Sequence, residues 1–386
     1  MSRIGTTTAL LLALSGLVVV FLMGVLVATG DEGELPPTMI PEADASNQDP
    51  PPQEPTASDP EVEIPPGLAE DDCGLEVLAS QEEVGGNLGT PGQAPVDAVK
   101  PGFAIQVKDE VIPYGLMSLS ALPGESVSFE AVFTEERSEL SVTAELGELE
   151  RIDDDHWIWT APDEPGSGCV TVRDVVTDDS LCLQIFVMRP YGGEEVLNGY
   201  RIGEYQREPL GGREAYEMPR GLIEVTEETV DTWVSPHFRL RQFLCKQQPD
   251  AFPKYLILET RLLMKLEMLL ERLREQGIDA HTFYMMSAYR TPWYNASIGN
   301  RTIYSRHAYG DAADIFVDLD GNRTMDDLDG DDSVTTGDAR ILAGLVKDAY
   351  GETWYMPFVG GLGVYGPAAH RGPFIHVDTR GYRARW

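Results

Sequence analysis

Basic residues are scarce in this chain: 29 Lys and Arg stand against 64 Asp and Glu over 386 residues, a formal net charge of −35. A surface so acidic repels phosphates and anionic headgroups, so nucleic acid is excluded as a partner and anything bound is neutral, cationic or locally recognised. Cysteine is scarce too. Four residues agree with an oxidising compartment but are too few to build a disulfide scaffold. Histidine occurs six times, and three of the six, His307, His370 and His376, come after residue 300. The length exceeds one compact core, so two or three folded units with connecting segments are expected.

One long apolar run is present, "TALLLALSGLVVVFLMGVLVATG", uncharged from about Ala9 to Ala28. At about 1.5 Å per residue it spans roughly 30 Å of hydrocarbon. Residues 1–30 therefore read as a signal anchor or a cleaved signal peptide, and the small-residue "VATG" leaves both open. Arg3 precedes the run and no Lys or Arg follows until Lys100, which places the remainder outside the cytoplasm. Residues 31–72 are dominated by Pro, Glu, Asp, Ser and Gln. They form a spacer, because so little apolar surface cannot offset the entropy of ordering.

Residues 73–190 form the next unit, and from Lys100 to Pro190 its pattern switches to period two. In "SVSFEAVF" the residues Val127, Phe129, Ala131 and Phe133 share a face, and "LPGE", "DDDH" and "DEPGSG" separate the runs, as in a small immunoglobulin-like β-sandwich. Cys169 and Cys182 sit in two β-like runs joined by "TDDS", where a cross-strand disulfide fits; Cys73 and Cys245 have no assigned partner. His156, beside Trp157 and Trp159, reads as packing. Residues 191–234 lack periodicity and read as a connector. In "PKYLILETRLLMKLEMLLERLREQG", Leu258, Leu262, Leu266, Leu269 and Leu273 mark one helical face, closed by Gly277.

The chemistry concentrates after residue 235. In "SRHAYGDAAD", His307 and Asp314 are seven apart, with Gly310, Ala312 and Ala313 allowing a close turn between them. They are two ligands of one metal or a polar corner of the fold, and "FIHVD" offers His376 as a third ligand. A hydrolytic zinc site takes three N or O ligands and keeps a position open.

With "SAYRTPWYN", "SRHAYGDAADI", "GGLGVYG" and "FIHVDTRGYRARW" in this order, and the lead-in "SPHFRLRQFLCK", the segment 235–386 resembles the zinc D-Ala-D-Ala carboxypeptidase superfamily. That superfamily shares its fold with the hedgehog signalling domain, and the chain looks closest to its periplasmic murein endopeptidase-like branch. The resemblance implies an α+β zinc domain behind the β-sandwich, linker and N-terminal helix. It also implies a metallopeptidase that uses zinc-activated water on peptidoglycan stem peptides or cross-links, anchored at the periplasmic side of the inner membrane of a bacterial envelope. His307, Asp314 and His376 match the family's zinc ligands. Arg290 matches the arginine that holds a substrate carboxylate, and Ser305 the small polar residue before the first ligand. Many relatives carry a catalytic glutamate three residues before the last histidine, where this chain has Pro373. The general base is thus unassigned; His370 is offered for that role or for the oxyanion, and Asp378 for orienting a zinc ligand. The missing glutamate keeps a second reading open, a non-catalytic wall- or peptide-binding module, and a third makes the chain a calcium-stabilised envelope adhesin.

Within the same domain, "DLDGNRTMDDLDGDDSVTTGDARIL" resembles the calcium loop of dockerin modules and EF-hands over 318–338. Loop positions 1, 3, 5, 7, 9 and 12 fall on Asp327, Asp329, Asp331, Ser333, Thr335 and Asp338. Asp332 stands at position 6, where glycine is usual. An overlapping frame offers Asp318, Asp320, Asn322, Thr324, Asp326 and Asp329 as a second site.

Overall fold

The computed structural model describes residues 100–386, apart from 134–136 and 301. The N-terminal apolar run, the acidic linker and Cys73 lie outside these residues. Among the described residues no helix is long and apolar enough to cross a membrane. The fold is mixed α+β, mostly sheet with few helices.

The first nine strands form two sheets. Strands β1 (Phe103–Val107), β2 (Glu110–Ile112), β4 (Ser126–Phe133), β6 (Glu148–Arg151) and β7 (His156–Thr160) order as β2-β1-β4-β7-β6. Strands β3 (Leu116–Ala121), β5 (Leu140–Ala144), β8 (Gly166–Asp174) and β9 (Ser180–Val187) order as β3-β9-β8-β5. Alternation decides which side is inside: Val127, Phe129 and Ala131 of β4 are buried, as are Leu181, Leu183 and Ile185 of β9. Trp157 and Trp159 are buried in the same core, whereas His156 alternates to the outer face, half-buried, and bonds the Ser128 hydroxyl there at 2.7 Å. Cys169 and Cys182 are joined by a disulfide across the β8–β9 hairpin, whereas Cys245 is free and buried.

The aperiodic segment 191–234 is not wholly irregular. Short strands β10 (Arg189–Pro190), β11 (Val196–Leu197), β12 (Tyr200–Arg201), β13 (Gly221–Val225), β14 (Trp233–Ser235), β15 (Phe238–Arg239) and β16 (Lys254–Leu256) run through and beyond it. β13 pairs with both β10 and β16. Its anchors are aromatic: Tyr200, Tyr205 and Tyr216 are buried, and the Tyr205 hydroxyl reaches the Ala308 carbonyl at 2.9 Å beside the candidate site.

The leucine-rich stretch divides in two. Its first residues form β16, and helix α1 (Thr260–Glu275) takes the rest, burying Leu262, Leu266, Leu269 and Leu273. Leu258 is buried ahead of the helix. Gly277, at φ 85°, closes it: its N–H donates to the Arg274 carbonyl, and the N–H of Ile278 to that of Leu273. After α1, strands β17 (Tyr284–Ser287), β18 (Ala312–Phe316), β19 (Gly361–Tyr365), β20 (Phe374–Asp378) and β21 (Ala384–Arg385) order as β17-β18-β20-β19-β21. Helix α2 (Pro292–Ser297) follows β17, and α3 (Thr336–Asp348) packs against β19 and β20.

Candidate metal centre

The sheet's register assembles the cluster. Asp314 on β18 lies directly opposite His376 on β20, so their side chains emerge on the same face. His307 arrives on a 3-10 turn, Arg306–Tyr309, which Ser305 opens with its carbonyl accepting from Ala308. Gly310 ends that turn at φ 72°, and a Cβ there would strike the Ile257 carbonyl, so only glycine lets the chain pass from His307 into β18. His307, Asp314 and His376 are all buried, and one ligand atom from each lies within 4.8 Å of the others.

The outer contacts decide which atoms face inward. His307 Nδ1 meets the Ala288 carbonyl at 2.6 Å, and His376 Nε2 meets Asp378 Oδ2 at 3.0 Å. Both partners are acceptors, so each ring places its proton on the outer nitrogen and directs a lone pair inward. His307 Nε2 and His376 Nδ1 then converge on Asp314 Oδ1, at 3.3 and 2.9 Å. Two lone pairs facing a buried carboxylate leave a space that fits a divalent cation, and two imidazoles with one carboxylate are a donor set suited to zinc.

Electrostatics agree with that arrangement at His307. Burial, then the charge of Arg290, draws His307 down to about 4, which keeps it neutral. Burial alone would raise the Asp314 carboxyl, yet the His307 imidazole and the Arg290 guanidinium hold it well below the usual carboxylate range. His376 differs: burial opposes its charge, but its contacts with the Asp314 and Asp378 carboxylates outweigh this and raise its pKa, so a proton held between the ring and Asp314 has to leave before Nδ1 offers its lone pair to a metal.

Arg290 does not sit in a surface salt bridge. It is mostly buried, with Nη2 on Asp314 Oδ2 and Nε on Ser287 Oγ at 2.7 Å. Asp378 is fully buried and holds His376 from behind; it is held in turn by Arg380 and by the Gly361 N–H at 2.7 Å. Ser305 is buried at the turn, next to the first histidine. His370 stands apart, exposed on the bend between β19 and β20 that an Ala368–Arg371 bridge closes, and outside the cluster. Pro373 is buried at the entry to β20.

Three neighbours were missed in the sequence. The Trp386 ring lies 5.1 Å from that of His376 and donates from Nε1 to the Tyr365 hydroxyl at 2.6 Å. A Cβ at Gly363, which pairs with His376, would enter the Trp386 ring; the spaced glycines of "GGLG" were the available signal. Lys246 is the third, close enough to Arg290 and Asp314 to feel their charges, and burial first, then Arg290, pulls its ammonium down to about 8.

The acidic insertion lies between β18 and α3. Asp327, Asp329 and Asp338, loop positions 1, 3 and 12, come together, whereas the Asp331 carboxylate is not part of that group. Thr335 caps α3 instead, accepting from the Gly337 N–H at 2.9 Å, and Asp338 accepts from the N–H groups of Leu328 and Thr335. Asp332 and Arg323, at position 6 of the two frames, adopt φ of 64° and 65°, so each takes the left-handed conformation that glycine usually supplies. Asp318, Asp320 and Asp326 of the second frame do not gather as the first set does. Asp318 instead accepts from the backbone of Asn322 and Arg323.

Comparison of the chain with protein-family models, curated proteins and solved structures finds no match.

Proposed function

We propose that the chain is a zinc metallopeptidase acting on peptidoglycan stem peptides or cross-links, as a carboxypeptidase or an endopeptidase. In this reading residues 235–386 are a zinc domain of D-Ala-D-Ala carboxypeptidase type, the two sheets of the first nine strands are an immunoglobulin-like sandwich, and the N-terminal run and acidic spacer hold both on the periplasmic side of the inner membrane. The observation that carries it is the inward convergence of His307 Nε2, Asp314 and His376 Nδ1, with both outer nitrogens held by acceptors.

Zinc, when bound, supplies the Lewis acidity that activates water and polarises the scissile carbonyl. The protein's own residues do the rest. Ala288 and Asp378 fix the rings, and Arg290 and Lys246 place two cations beside the ligands, suited to a substrate carboxylate. Purified sacculi digested with the zinc-loaded chain should release peptide fragments, identified by mass spectrometry, that a His376→Ala control does not. Identical release by both would refute the hydrolase. The buried proline at the glutamate position favours the second reading, a binding module: sacculi retained by the zinc-loaded chain with nothing released would establish it.

Calcium is proposed at Asp327, Asp329 and Asp338, where burial and then the charges of Asp331, Asp338 and Asp327 already raise the Asp329 carboxyl. Its role is structural, pinning the loop that leads into α3. At about a hundred times its Kd, calcium should add about 2.7 kcal/mol of stability. Thermal denaturation checks this: the midpoint should rise with calcium in the parent chain and stay unchanged in Asp329→Asn. A parent midpoint indifferent to calcium and to its chelator would rule the site out.

A further inference from the structure

A cleft of about 580 Å³ lies away from the metal cluster, within the range of small-molecule sites. Three elements wall it: the bend around β2 from Asp109 to Tyr114, one stripe of α1, and the 3-10 segment Thr353–Phe358. On α1 the stripe is Met264, Met268, Glu271, Arg272 and Glu275, at spacings of three and four, distinct from the leucine face turned to the core.

Its aromatic residues already hold cations. The Lys100 ammonium lies 5.0 Å from the centre of the Tyr114 ring and 2.9 Å from Glu271, and the Arg272 guanidinium lies 4.9 Å from that of Trp354. Lys100 does so from a side chain 48% exposed, on a flexible stem, so it is easily displaced. Two further observations point to a ligand. Tyr114 is 3% exposed, and its buried hydroxyl, set beside the Glu271 carboxylate, makes no hydrogen bond of good geometry. The rim is also over-supplied with acid: Glu110 is matched by Arg261 and Glu271 by Lys100, while Asp109 and Glu275 form no ion pair among the described residues.

We propose that this cleft binds a small organic ammonium carried on an apolar body. The ammonium replaces that of Lys100 between the Tyr114 ring and Glu271, with the Tyr114 oxygen as a further acceptor, and the apolar body lies on Met264, Met268 and Trp354. Charge complementarity selects a cation over its anionic or neutral counterpart.

Phenethylamine, 3-phenylpropionate and 2-phenylethanol share the ring and differ in charge. Calorimetric titration of the full chain at low salt should show saturable binding of the amine alone. Lys100→Ala should tighten that binding about fivefold by vacating the place, and Glu271→Gln and Trp354→Ala should weaken it by about fivefold or more. Tyr114→Phe should weaken it, since it removes the oxygen offered to the ammonium as a further acceptor. Equal binding of all three probes, no binding of the amine, or weaker binding in Lys100→Ala would each overturn the assignment.

Discussion

His307→Ala is expected to leave a folded chain that no longer retains zinc. The parent should carry one zinc per molecule and the variant essentially none after dialysis, as measured by metal analysis; His376→Ala should behave alike. Removing one of three ligands should weaken zinc by about a thousandfold or more, because the two remaining donors cannot replace the lost lone pair in a closed, buried site. The fold should survive, since His307 sits on a 3-10 turn whose shape is set by Gly310 and by the Ser305 carbonyl rather than by the imidazole. Peptide release from sacculi should fall with the metal. His370→Ala is the informative control: its side chain is exposed and outside the cluster, so zinc should stay. Loss of release with zinc retained would then identify a group that moves the proton. Full release would leave that step to the groups around Arg290 and Tyr365.

The parts of the fold that could be read in advance were those set by local pattern. Period two in "SVSFEAVF" gave a real strand with its alternate residues buried, and the leucines from Leu262 to Leu273 gave a real helix. Pattern misled where one composition served two conformations: "KYL" shares the leucine-rich character of α1 but is a strand, because it pairs with β13 from a segment that showed no period. His307 and Asp314 were legible as candidate ligands because glycine and alanine between them report a close turn, and His376 joined them through the resemblance that brought "FIHVD" beside them. The contacts that make them a site were not. Asp314 faces His376 through a register between strands some sixty residues apart, and Trp386 reaches His376 only because β19 carries glycine at residue 363. Charge inside α1 was equally hidden. Lys265 and Glu267 are fully buried where the helical period alone suggested only apolar packing. Glu267 accepts from Ser235 and His237, and Lys265 donates to the Phe358 and Asp378 carbonyls.

That last contact leads to the other large effect expected, at Asp378. The residue is fully buried, and its carboxylate accepts from the backbone of Gly361 and Arg380, from the Arg380 guanidinium at 2.6 Å, and from His376. Asp378→Asn breaks the buried ion pair between that carboxylate and Arg380, itself nearly buried, and breaking such a pair costs about 3–5 kcal/mol. The amide also offers donors where Arg380 and His376 already donate, so one of those hydrogen bonds must be lost. If His376 loses its partner, its ring is free to turn and to change tautomer, which should weaken zinc by about ten- to a hundredfold. Two measurements separate these consequences. Thermal melting of the metal-free protein reads the lost pairing with Arg380, and competition with a chelator reads the loosened imidazole. A variant as stable as the parent would mean that Arg380 finds another anion. One that is less stable yet binds zinc as tightly would mean that the His376 ring is oriented by its packing against Trp386, 5.1 Å away, rather than by Asp378.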